Sequence, residues 1–142
     1  MADGSELKAL AKAFFAAYDA HDIAGMTAFC SDDAQGRYAP YGRNNVVPIR
    51  GGIDAFWKGF TQAVPTSRVE VVEMLLSEGG VVVVQAIMSG PIPADPLGMV
   101  KDGTDVFIPH CYILRYDTAG KISHLDAYWD NAVLNGIKGS VL

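Results

Sequence analysis

Leu7, Leu10, Ala11, Phe14, Phe15 and Tyr18 recur at the three-and-four spacing that lines one face of a helix, and Asp3 with Glu6 three residues later has the form of its N-terminal cap. Asp22 caps a shorter helical stretch with Ile23, Met26, Phe29 and Cys30 on one side, and Ser31-Asp32-Asp33 reads as the turn that closes it. Gly, Pro and Asn then break residues 34–50 into short, irregular extended pieces. A third helix follows Gly51-Gly52, with Ile53, Phe56, Trp57 and Phe60 on its apolar stripe and Pro65 as its stop.

Beyond Pro65 the pattern changes to strands. Residues 67–77, 81–90, 104–116 and 121–130 are rich in Val, Ile, Tyr and Phe and are joined by Gly79-Gly80 and by Asp117-Thr118-Ala119-Gly120. Proline-rich residues 91–103 read as a long loop. Helices first and a strand meander afterwards predict an α+β domain, an antiparallel sheet with helices on one face. Val81-Val82-Val83-Val84 and Cys111-Tyr112-Ile113-Leu114 are apolar on both faces, so the second face is expected to meet another copy of the chain in a homodimer, a curved sheet folded over itself being the other way to cover it.

The length of 142 residues suits a single domain over 1–142, and 50% hydrophobic against 19% charged residues excludes a disordered chain. With a net charge of −5 and scattered Lys and Arg, nucleic acid and anionic lipid are not expected partners. No apolar run approaches the roughly 20 residues of a membrane helix, and the first residues lack the pattern of a signal peptide, so a cytoplasmic protein is expected. Cys30 and Cys111 are assigned no chemistry. His21 and His124 have no partner at ligand spacing and are expected in solvent; neither a metal nor a cofactor is expected.

Several short segments resemble a known family when taken in order: Asp22-Ile23, Ser31-Asp32-Asp33-Ala34, Ala39-Pro40-Tyr41-Gly42, Pro48-Ile49-Arg50-Gly51-Gly52, Gly120-Lys121-Ile122 and Asp126-Ala127-Tyr128-Trp129-Asp130. Together they are similar to the ketosteroid isomerases and SnoaL-type polyketide cyclases of the nuclear transport factor 2-like superfamily. The resemblance implies a cone: a strongly curved, mainly antiparallel sheet and three helices around an apolar cavity, dimeric through the outer face of the sheet. It also implies a small apolar ligand.

Carried over one position at a time, the resemblance leaves little of the family's acid-base apparatus. The isomerase carboxylate matches Tyr38, whose phenol is no base near neutral pH, and the isomerase oxyanion tyrosine matches Phe14, which has no donor. The second oxyanion donor matches Tyr112, the cyclase base matches Ala127, and the pocket-lining Trp matches Trp129. Steroid isomerisation by the family mechanism is therefore not expected.

His110 lies two residues before Tyr112, so an extended strand turns both to one face, where they would supply a base and an oxyanion donor. Both are equally readable as satisfied core polar residues. Asp19 occupies a place where the resemblance puts the acid of an Asp-His dyad in some dehydratases and dehydrochlorinases, with His110 as its partner; an ordinary helix-end cap is the other reading. Phe14, Tyr18, Tyr38, Phe56, Phe60, Leu125, Ala127 and Trp129 are the expected pocket wall, and Phe14, Phe56, Phe60, Leu125 and Trp129 are expected to be mostly buried. Pairing Tyr116 with Lys121 would set Tyr112 opposite Leu125 and His110 opposite Ala127, and would turn Asp126 and Asp130 outward; a glycine bulge at Gly120 would instead slip the pairing by one and turn Asp126 inward in place of Ala127. Three functions remain open: an isomerase, cyclase or lyase acting on a small cyclic or polyketide-like carbonyl compound, a non-catalytic binder of an apolar metabolite, and a protein-association module.

Overall fold

The computed structural model describes residues 3–91 and 105–130, so the expected loop at 91–103 lies almost wholly outside the described residues. Helix α1, Gly4–Asp19, begins as its sequence indicates: the Asp3 carboxylate accepts the Glu6 N–H at 2.9 Å and the Glu6 carboxylate accepts the Asp3 N–H at 3.2 Å. Its stripe of Leu7, Ala11, Phe14, Phe15 and Tyr18 is buried. After α1, His21 takes a left-handed φ of 59°, held by its imidazole, whose Nε2 lies 2.8 Å from the Ser67 carbonyl and 3.1 Å from its hydroxyl. The side chain expected in solvent is thus half-buried and tied to the start of a strand.

Asp22 caps α2, Ile23–Ala28, accepting the Gly25 N–H at 2.9 Å. The turn expected at Ser31-Asp32-Asp33 is instead part of β1, Cys30–Tyr38. Long-range pairing overrides the local turn preference, because Cys30 already stands beside Ile122, and the Ile122 N–H donates to the Phe29 carbonyl at 2.9 Å. Strand β2, Val46–Pro48, pairs antiparallel with β1. The turn Ile49–Ile53, with Gly51 at φ 81°, leads into α3, Asp54–Ala63. Strands β3 (Arg68–Ser77), β4 (Val81–Gly90), β5 (Val106–Tyr116) and β6 (Ile122–Trp129) complete the chain within one or two residues of the expected bounds.

The six strands form one curved, unclosed sheet in the order β2-β1-β6-β5-β4-β3, antiparallel throughout except for the parallel pair β1–β6. The fold is therefore the expected α+β cone, with the helices on the inner face. Along β4, Val82, Val84, Ala86 and Met88 are buried inward, while Val81, Val83 and Ile87 face outward and are half-buried. The outer face leaves Val72, Leu75, Phe107 and Tyr128 exposed. Of the five residues expected in the core, Phe14 and Leu125 are fully buried, and Phe56, Phe60 and Trp129 are only half-buried. Phe56 and Trp129 pack against the exposed ring of Tyr41, at the rim of the cone instead of its centre.

The register of β5 against β6 differs from the expected one by two residues. Tyr112 faces Ala127, Leu114 faces Leu125 and His110 faces Trp129. Tyr116 pairs with Ile122 while Arg115 pairs with His124, so Ser123 is an extra residue. Lys121 is held in the turn, since the Asp117 carboxylate accepts the N–H groups of Ala119 and Lys121 at 2.9 Å each. A shift of two leaves every side chain on its expected face.

Candidate functional site

The sheet register places the chemistry in two rows across the inner face. In the first, Ala127 of β6 is the direct neighbour of Tyr38 on β1 and of Tyr112 on β5, and Tyr112 faces Val84 on β4. In the second row His110 stands between Trp129 of β6 and Ala86 of β4. Helices close the space above: Phe15 meets the Tyr112 ring edge-on at 4.9 Å, and Tyr18 lies 6.1 Å from Trp57. Trp57, on the buried stripe of α3, donates its indole N–H to the Tyr38 hydroxyl.

His110 and Tyr112 do share a face and are neighbours. Their rings stack at 5.5 Å with 13° between planes, and Trp129 stacks on the other contact of the imidazole at 5.0 Å and 25°. The His110 Nδ1 is 2.9 Å from the Ile108 carbonyl, which can only accept, so the ring proton resides on Nδ1 and Nε2 carries a lone pair. Burial lowers the His110 pKa below its ordinary value, partly opposed by the bond to Ile108, so the imidazole is neutral at neutral pH.

Tyr18, Tyr38 and Tyr112 are buried, and loss of water pushes all three phenols well above their ordinary range. Each also discourages ionisation of another: Tyr112 acts on Tyr18, Tyr18 on Tyr38, and Tyr38 on Tyr112. They are neutral donors. The hydroxyls of Tyr18 and Tyr112 form no hydrogen bond among the described residues, whereas the Tyr116 hydroxyl, elsewhere in the core, is sealed without a partner.

Asp19 and His110 are not brought together. The Asp19 carboxylate receives Arg68 through Nε at 2.8 Å and Nη2 at 2.9 Å, and the Val69 N–H at 2.9 Å. Arg68 holds its pKa below the usual carboxylate value. One residue past the buried Tyr18, Asp19 is rotated off the inward stripe and ties the end of α1 to the start of β3.

Phe14 lies at the centre of the aromatic cluster, 5.2 Å from Phe15 and 5.8 Å from Trp57, and Phe56 stacks on Phe60. Leu125 is sealed in the core below this row. Sequence reasoning placed Trp57 on a core stripe and missed its polar contact; the available signal was the indole N–H, a donor that needs a partner when buried.

Behind His110, the outer face carries a depression of about 420 Å³ bordered by the outward-facing Gln85, Ile87, Pro109, Cys111 and Tyr128. Asp126 faces outward as expected but is buried: Arg37 Nε donates to it at 3.1 Å and His124 Nε2 at 3.0 Å, so His124 is also not the free solvent residue expected. Among the described residues no three His, Cys, Asp or Glu side chains converge as a metal site, and no helix is long and apolar enough to cross a membrane.

Comparison with known proteins agrees with this architecture. AclR, a proposed hydroxylase from Streptomyces galilaeus, superposes with a TM-score of 0.77 at 20% identity, over 91% of this chain and 92% of that one. IdmH, a proposed polyketide cyclase from Streptomyces antibioticus, gives 0.74 at 16% identity over 90% and 94%. A Catenulispora acidiphila protein of ketosteroid isomerase-like fold, solved with trimethylamine, gives 0.72 at 16% identity over 88% of each chain. At such identities the likeness is one of fold. No curated protein matches the sequence. The SnoaL-like domain family matches residues 11–125 of the 142, and the chain belongs to that family.

Proposed function

We propose that the chain binds a small, largely apolar carbonyl compound inside the cone and moves a proton on it, as an isomerase, cyclase or lyase. The observation that carries this reading is the neutral His110, stacked on Tyr112, with neither its Nε2 nor the Tyr112 hydroxyl hydrogen-bonded among the described residues. Nε2 takes a proton from the carbon next to the carbonyl, the C–H electrons form the new C=C bond, and the carbonyl π electrons move onto oxygen. Tyr112 donates a hydrogen bond to that oxygen as its charge grows. Protonation at a second carbon by His110, or departure of a leaving group, completes isomerisation or elimination. Among the described residues, those paired in the two rows are all uncharged, which suits a neutral substrate, and the polyketide cyclase role proposed for IdmH is of the same chemical kind.

The reading includes a homodimer through the outer face, where Val72, Leu75 and Phe107 are exposed, and the free thiols of Cys30 and Cys111 suit the cytoplasm. Sedimentation of a monomer at micromolar concentration would overturn the dimer.

The test of the chemistry is exchange of the α-hydrogens of 1-tetralone in D₂O, followed by proton NMR. The parent is expected to accelerate exchange about 100-fold over buffer, the lower scale of a positioned base, with the acceleration lost in His110→Gln. Binding without acceleration gives the site to a non-catalytic binding protein, and no binding at all refutes the pocket.

A further inference from the structure

Resting on that reading, we propose that Tyr38 is a second donor to the ligand oxygen, which sits over Ala127 between the Tyr38 and Tyr112 hydroxyls, and that Trp57 is the positioning residue that fixes the direction of the Tyr38 proton. A phenol has one proton to give and lone pairs to receive, whereas an indole N–H only gives. The contact between Trp57 and Tyr38 therefore has one polarity: the Tyr38 oxygen accepts. Its own proton has no acceptor among the described residues, and its surroundings are the edges and faces of Phe56 and Trp129, at 5.2 Å each.

The sheet sets which residues stand beside Tyr38. Tyr38 and Tyr112 are both paired with Ala127, one from each side, and all three are on the inner face. Neighbouring strands are about 4.8 Å apart, so the two tyrosines stand roughly 10 Å apart at the backbone, with only a methyl group between them. The two tyrosines thus flank the smallest side chain of the row. Burial keeps both protonated.

The consequence is a preference in ligand chemistry. Two protonated hydroxyls with no anion beside them among the described residues give their protons to an oxygen that only accepts, as in a ketone, quinone or ester, and supply no charge to balance an ammonium group. The position that the isomerase resemblance assigns to a base thus becomes a donor, and the proton-accepting role is left to His110 alone.

The probes are 1-tetralone and tetralin, which share a carbon skeleton and differ by the carbonyl. Binding is measured by calorimetry, and the bound C=O stretch by infrared difference spectroscopy. The parent is expected to bind tetralone at least tenfold more tightly than tetralin and to shift the stretch to lower wavenumber. Tyr38→Phe should weaken tetralone about tenfold, reduce the shift, and leave tetralin within twofold. Trp57→Phe should reduce the shift with a smaller loss of affinity. In the ligand-free protein, the ¹⁵N-indole resonance of Trp57 should move in Tyr38→Phe, confirming that the fold and the contact are intact in the parent.

If Tyr112→Phe lowers the affinity and the shift while Tyr38→Phe changes neither, the second donor is refuted and the proposed function stands. If the parent binds tetralone no better than tetralin, or binds neither, the proposed function falls with it. Tighter binding of trimethylammonium than of tetralone would likewise overturn the donor site.

Discussion

On the outer face of β6, His124, Asp126 and Tyr128 are joined to Arg37 of β1, while on the inner face of the same strand Ala127 lies between Tyr38 and Tyr112, and Trp129 stacks on His110. Arg37 donates to Asp126 at 3.1 Å and to the Tyr128 hydroxyl at 2.8 Å, and its guanidinium also lies 5.9 Å from the Tyr128 ring centre. Alternation along one strand thus separates two kinds of polar chemistry. Outside, charges compensate each other and fasten the parallel β1–β6 pair. Inside, the polar atoms belong to phenols, indoles and an imidazole, and the hydroxyls of Tyr18 and Tyr112 form no hydrogen bond among the described residues. A face whose polar groups are mutually satisfied is built for stability, whereas one with donors left over is built for a guest.

The largest effect is expected from breaking the outer network. Asp126→Ala leaves Arg37 and His124 facing a buried vacancy and should cost about 3 kcal/mol in urea unfolding, the lower range for loss of one partner from a buried pair. Asp126→Asn should cost less, since the amide oxygen still accepts. A loss below about 0.5 kcal/mol would mean that the network is not what holds β1 to β6. Next comes the inner face: Ala127→Leu inserts three carbons between Tyr38 and Tyr112 and should cost about 2 kcal/mol by overpacking. It should also abolish tetralone binding, which Asp126→Asn should not. If Ala127→Leu binds tetralone like the parent, the ligand is not seated in that row.

These contrasts also show what the amino-acid sequence could disclose. Periodicity located all three helices and the four long strands, because each buries a stripe or a face whose spacing is written locally. The neighbourhood of His110 and Tyr112 was legible for the same reason, being a matter of two residues on one strand. The register was not, because it depends on the Asp117 side chain within the turn and on the extra residue at Ser123, neither of which alters the hydrophobic pattern. The Trp57–Tyr38 bond joins α3 to β1, and the partner of Asp19 is 49 residues away at Arg68; such pairs follow from how elements dock. Ser31-Asp32-Asp33 has turn chemistry and yet lies in a strand, since its partner β6 is at the far end of the described chain.

Asp19 offers a smaller test of the same division between structural and functional polar groups. Asp19→Ala removes the forked bond to Arg68 and the cap on Val69 N–H and should cost about 1 kcal/mol, the scale of a part-exposed pair with one backbone hydrogen bond. Since Arg68 lowers the Asp19 pKa, its contribution is present above the unfolded value of 3.8 and is lost as pH falls through the folded one. Exchange of tetralone hydrogens should be unchanged in this variant. A loss of exchange at intact stability would return Asp19 to the site.

The smallest expected effect is the pH response of His110, which separates the two faces without removing a contact. The imidazole is faced by Tyr112, Trp129 and Ala86, and none of these carries a charge that would favour its protonation. Its folded pKa therefore lies below the unfolded value of 6.5, mainly through burial. Between those two values the unfolded chain binds more protons than the folded one, so stability contributed by the neutral imidazole falls as pH drops through 6.5 and stops falling below the folded pKa. In His110→Gln that part of the decline should be absent, with the two proteins running parallel above pH 7.5, in urea unfolding at half-unit steps from pH 8 to pH 5. His21 and His124 are present in both proteins, so their own titrations cancel in the difference. A difference that grows in the opposite direction, with the parent gaining stability on acidification, would mean that a negative group faces His110 and that the inner face is not the neutral chamber which distinguishes it from the outer one.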